Sequence, residues 1–215
     1  MKNQQSGFTL VEIAIVLVII GLLLGGVLKG QELINSAKVK NLAQDFKNVE
    51  LYIYGYQDRF KAIPGDDPRA QTNIPGGAAS DNGNGNGIID GVWNSTTATD
   101  ESAKFWRAVR LTNFAAGPTD MTDAAYYPTN VEGQRIGITS GAAANTPITN
   151  MTGTYVFCSA GLLGKFAKQL DTTLDDGNAA TGSVRTRNTS ATAQEAALAN
   201  TAVDDNLSYT VCKAF

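Results

Sequence analysis

Residues 8–28 read FTLVEIAIVLVIIGLLLGGVL, an apolar run with one charge, Glu12. A helix of about 20 apolar residues spans the hydrocarbon core of a bilayer, so the run predicts a membrane helix. Only the polar head MKNQQSG precedes it. An acidic residue costs roughly 2.5 to 3.5 kcal/mol at the centre of such a helix and less towards its end. A carboxylate in the second turn therefore points to a task beyond anchoring. A secretory signal would put an A-x-A-like cleavage pattern after the apolar region. Gly25 and Gly26, flanked by Leu24 and Val27, do not form one, which favours an anchor over a signal removed whole. Lys29, Lys38 and Lys40 come after the run while only Lys2 precedes it, a balance that leans against export of the C-terminal part of the chain.

Beyond the run the periodicity changes. Val39, Leu42, Phe46, Val49, Ile53, Tyr56 and Phe60 fall at alternating spacings of three and four, one face of a helix, with Lys40, Asp45, Lys47, Glu50 and Asp58 off it. The helix is expected to continue as an amphipathic half that packs on a sheet, ending at Ile63, Pro64 and Gly65.

The junction carries a resemblance. Gly7-Phe8-Thr9-Leu10-Val11-Glu12 is similar to the processing signature of type IV pilins and of the pseudopilins of type II secretion. The resemblance implies that prepilin peptidase cuts between Gly7 and Phe8 and that the new N-terminal Phe8 is methylated. It also implies that Glu12 pairs with the Phe8 amine of a neighbouring subunit during filament assembly, which would make a carboxylate in a dry environment tolerable. Many pilins carry a proline within the apolar helix; here Lys29 stands at that place, and the only breakers are Gly21, Gly25, Gly26 and Gly30. That departure is more typical of pseudopilins and minor pilin-like proteins.

The rest of the chain has the size of one domain within 215 residues, with 22 glycines and 17% charged residues, a loop-rich composition that still folds. The net charge of -3 and scattered Lys and Arg give no footprint of nucleic-acid binding. The chain has 0 histidines, which removes the commonest general base and the commonest transition-metal ligand. Cys158 and Cys212 lack Cys-x-x-Cys spacing and read either as a disulfide or as two buried thiols. Closing so long a loop contributes about 4 kcal/mol in the ideal case.

Residues 64–99 hold a cluster of turn signals and read as one long loop. Within it Asn82, Asn84, Asn86, Gly87, Ile89 and Asp90 match the start of an EF-hand-like calcium loop, with Asp81 and Asp90 supplying charge. Asn82 stands where Asp is expected and Trp93 where a bidentate Glu is expected. The candidate ligands are thus Asp81, Asn82, Asn84, Asn86 and Asp90, and the competing reading is a plain series of Asn-Gly turns. Asp100 to Phe114 reads as a helix capped by Asp100 or Thr99. Thr152 to Cys158 and Asn206 to Lys213 read as strands, and Arg135 to Ile138 as a third. Leu162 to Leu174 reads as a helix with Gly177 as its C-cap. Asp171, Asp175 and Asp176 are either a metal cluster or solvated carboxylates, and residues 188–203 form an Ala- and Thr-rich insertion.

These readings combine into an α+β architecture: a leader over 1–7, a hydrophobic helix over 8–35, and a head over 36–215 in which the amphipathic half-helix packs on a small antiparallel sheet. The expected function is a structural, non-enzymatic subunit. It is held in the inner membrane as a precursor, processed by prepilin peptidase, and taken by inner-membrane assembly machinery into a homo-oligomeric helical filament that spans the periplasm or reaches the surface. It requires no cofactor, calcium being a candidate. The alternatives are a type II secretion pseudopilin and, from another class, a membrane-anchored calcium-dependent adhesive module.

Overall fold

A computed structural model describes residues 9–142, 145–189 and 194–215 of the chain. The leader and the pair Gly7 and Phe8 lie outside the described residues, as do 190–193 of the insertion. The elements are α1 (Leu10–Phe60), α2 (Ala70–Asn73), α3 (Glu101–Leu111), β1 (Ile136–Ser140), β2 (Tyr155–Leu163), α4 (Gly164–Leu174), β3 (Val184–Asn188) and β4 (Ser208–Ala214). Two compact units divide the chain, Met1–Lys38 and Val39–Phe215.

The first unit is helical from Leu10 onwards. Its apolar side chains have nothing to cover them: Leu10 is 90% exposed, Leu22 74% and Leu28 66%, and the hydrophobic window is long and apolar enough to cross a bilayer with none of it buried. Apolar surface of this extent needs a non-aqueous environment, at about 25 cal/mol per Å² otherwise left in water.

The second unit is an α+β head. The stripe read from the sequence faces inward: Val39, Leu42, Phe46, Val49, Ile53 and Tyr56 are all buried, whereas Phe60 at the last turn is only half-buried. The helix stops where Lys61 takes a left-handed conformation, φ 55°, just before Pro64. The sheet is antiparallel throughout, in the order β1-β2-β4-β3. Alternation sorts β2 onto two faces. Tyr155 and Phe157 join Ile138, Val184 and Val211 against the α1 stripe, and the rings of Phe46 and Phe157 meet edge to face at 4.8 Å. Val156 and Cys158 join Cys212 and Ala214 on the opposite face under Ile148 and Met151. Both faces of the central strands are therefore covered, which is why β1 and most of β2 are buried without alternation.

Cys158 and Cys212 are opposite each other in the β2–β4 register and form a disulfide with Cα atoms 4.1 Å apart. The paired reading of these cysteines holds, and the bridge lies on the face away from α1. Between Ser159 and Leu162 the β2–β4 register shifts. Gly161 stands in this irregularity at φ 68°, where a Cβ would come within 2.3 Å of the Gln134 side chain.

Several local expectations need correction. Leu162 and Leu163 finish β2 rather than begin α4. The residue capping the C-terminus of α4 is Asp175, and Gly177 adopts its left-handed φ of 78° two residues later. The long loop contains the short helix α2. Asp100 takes the capping position of α3 with its backbone, but its carboxylate accepts the Ser95 hydroxyl at 2.6 Å instead of a helix amide. Strand β3, VRTRN, has no counterpart among the expected strands, because its charged residues mask any alternation. It forms because β4 offers it a free edge, and the buried Arg187 donates to the Pro147 carbonyl at 2.8 Å.

Candidate functional site

Two places hold the residues singled out from the sequence. The first is the start of α1. Thr9 donates to Glu12 Oε2 twice, from its amide at 2.8 Å and from its hydroxyl at 2.7 Å, and the Glu12 amide returns a bond to Thr9 Oγ1 at 3.3 Å. This is a capping box, Thr at the cap and Glu three residues on, which satisfies helix amides that no turn of α1 can reach. Sequence reasoning gave Thr9 no role, although the T-x-x-E spacing was a signal for it. Both Thr9 bonds fall on Oε2; among the described residues Oε1 accepts none.

The second is the 81–90 loop, which does not gather its candidate ligands around one point. Asp81 is buried and turned to Arg107, with Nε 2.7 Å from Oδ1, while its Oδ2 accepts the Ala78 amide at 2.7 Å. Asn82 Oδ1 accepts the Gln71 amide at 2.9 Å. The side-chain oxygens of Asn84 and Asn86 accept the amides two residues on, from Asn86 at 2.9 Å and Ile88 at 2.8 Å. These two asparagines converge on Asp90 through their amide nitrogens, at 2.9 and 3.1 Å from Oδ2.

What shapes this loop are two carboxylates that were not singled out from the sequence. Asp66, 3% exposed, accepts the amides of Gly85 at 2.6 Å and Asn86 at 3.1 Å on one oxygen and of Gly87 at 2.8 Å on the other. Glu101, at the first turn of α3, accepts the amides of Asn84 at 2.9 Å and Asp90 at 3.0 Å. Burial pushes the Glu101 carboxyl up, the two amides oppose this, and Asp66 and Asp90 add to the rise. The backbones touch: a Cβ on Gly83 would come within 2.3 Å of the Asp66 Cα. Consecutive amides aimed at a carboxylate form a nest for negative charge, filled here by the protein's own side chain.

The first site lies within a segment that is similar to known proteins. Residues 2–28 match the family described as the prokaryotic N-terminal methylation motif. The chain thus carries the N-terminal segment of a type IV pilin-like or pseudopilin precursor, a segment that implies processing by prepilin peptidase and a membrane-anchored precursor. No curated protein and no solved structure matches the chain. The head, a long helix over a four-stranded antiparallel sheet, is consistent with a pilin-like fold.

Proposed function

We propose that the protein is a structural subunit of a type IV pilus-like filament. It is processed between Gly7 and Phe8 and assembled through its N-terminal helix, with Glu12 pairing to the Phe8 amine of the next subunit. The observation that carries this reading is the uncovered apolar helix with one carboxylate at its start, inside the matched methylation segment. Lipid can cover that helix before assembly, and copies of the same helix can cover it afterwards. Contacts of one copy on the next that do not close a ring build an open filament. The role needs no covalent chemistry and no cofactor.

A type II secretion pseudopilin would use the same segment for a short periplasmic filament, and the lack of a helix proline supports that alternative. The calcium-dependent adhesive module is the reading from another class. Its support is the Asn84, Asn86 and Asp90 convergence, and a cation there would require the asparagine amides to turn.

The test is expression of the full chain with and without prepilin peptidase. With the peptidase, mass spectrometry is expected to find an N-terminal methylated Phe8, and the subunit is expected in the filament fraction sheared from cells or spheroplasts. Without it, the intact chain should stay in the membrane. Cleavage elsewhere, or a processed chain that never leaves the membrane fraction, would overturn the proposal.

A further inference from the structure

We propose that the end of α4 and the turn after it form a binding site for a hard divalent cation of the calcium class, held by Asp171, Asp175 and Asp176. Carboxylate oxygens of these three residues lie within 4.8 Å of one another. Closely spaced acids are common on surfaces, and Asp175 and Asp176 are exposed. Asp171 is different: it is 0% exposed, and neither of its carboxylate oxygens accepts a hydrogen bond of ordinary geometry, the Gly177 amide nearby making only a weak contact. An ionised carboxylate in that state is among the costliest arrangements a fold can hold, unless a cation meets it.

The surroundings raise the demand for positive charge. The last carbonyls of α4 lack helical partners and carry the negative end of the helix dipole towards the same turn. The turn is also built to stay in place. Asp175 Oδ2 accepts the amides of Ser183 and Val184, the latter at 3.0 Å, and Asp176 accepts the Asn178 amide at 2.9 Å and the Thr181 hydroxyl at 2.7 Å. Gly182, φ 69°, lets the returning chain close on Asp175, where a Cβ would fall 1.9 Å from Oδ2. Both amides on Asp175 fall on Oδ2 and leave its Oδ1 to ligate, while each oxygen of Asp176 accepts one bond and keeps a lone pair. The neighbouring guanidinium of Arg185 donates to the carbonyls of Gly182 and Asn150. Without a cation, burial first, then Asp176 and Asp175, push the Asp171 carboxyl up to about 6, with the nearby Gly177 amide opposing.

Donor chemistry fixes the class of ion. The chain has no histidine and both cysteines are in the disulfide, so no thiolate or imidazole ligand exists for zinc or copper. Three carboxylates in an irregular turn suit calcium, which tolerates varied oxygen geometry, better than magnesium, which demands near-ideal octahedra.

The experiment uses the full chain in detergent micelles and calcium chloride as the probe, with equilibrium dialysis of radioactive calcium and thermal unfolding as readouts. Calcium at a hundred times its Kd is expected to raise the midpoint by about 5 to 10 °C over chelator. Asp176→Asn, an exposed position where folding is not at risk, should weaken binding at least about tenfold, since it removes one of three charges. Asp171→Asn should abolish the shift, and Asp90→Asn, in the separate 81–90 loop, should leave it unchanged. A wild-type midpoint that is equal in chelator and 10 mM calcium would falsify the site. So would a shift that survives Asp176→Asn unchanged, or one that disappears only with Asp90→Asn.

Discussion

Replacing Glu12 by alanine is expected to abolish filament assembly and leave a processed, stably inserted membrane protein. The carboxylate lies in the first turn of an uncovered apolar helix, and Thr9 occupies only its Oε2. In the proposed assembly, the new amine of Phe8 would enter the same dry layer as these helices bundle. Leaving one partner of a buried ion pair uncompensated costs about 3 to 5 kcal/mol. That is more than a hundredfold in each subunit addition, at 1.4 kcal/mol per factor of ten. The capping box offers a control. Glutamine keeps the cap, because a capping box accepts Gln at this position, yet it lacks the charge. Glu12→Gln is therefore expected to assemble as poorly as Glu12→Ala, by immunoblot of the sheared fraction. If the glutamine variant assembles normally and the alanine variant does not, Glu12 acts through the helix start alone; normal filaments in both would sink the subunit mechanism.

The second large effect is expected at Asp66. Its carboxylate accepts three successive amides of the 81–90 loop while almost fully buried. Asp66→Ala leaves the Gly85 and Gly87 amides facing a cavity. Hydrogen bonds to a charged group contribute about 1.5 to 3 kcal/mol each, so a loss of about 3 to 5 kcal/mol is expected in urea unfolding of the full chain in detergent. Asp90→Ala removes only bonds to two exposed asparagine side chains and should cost about 1 kcal/mol or less. Equal effects at the two positions would show that Asp66 does not hold the loop.

The two positions also show what could be read from the residues alone. The α1 stripe was legible because helical periodicity is local and all but the last of its members are buried. Strands β2 and β4 were legible from their β-branched and aromatic residues, and the disulfide from the absence of any metal-binding spacing. Asp66 was not, because its partners lie 19 to 21 residues away and nothing in PGDDP announces them. Glu101 has the position of an ordinary first-turn acid, whereas its oxygens accept the amides of Asn84 and Asp90. The asparagines of the loop share one pattern with two chemistries. Short polar side chains that can ligate an ion can equally accept an amide two residues on, and only the backbone path decides between them. Strand β3 depended on the edge that β4 presents, a property of the sheet and not of VRTRN.

The disulfide has a mechanical meaning. A subunit in a filament under tension carries load along its chain, and a sheet yields by peeling strands and releasing slack. Cys158 and Cys212, 54 positions apart in sequence, lock the two central strands to each other. When the chain is pulled from its ends, that segment is withheld, about 180 Å of contour that no force short of breaking a covalent bond can draw out. Strand β3 and helix α4 lie inside the closed loop and stay off the load path. In the proposed filament, the bridge would thus set an upper limit on how far the head can stretch before the load passes to its neighbour.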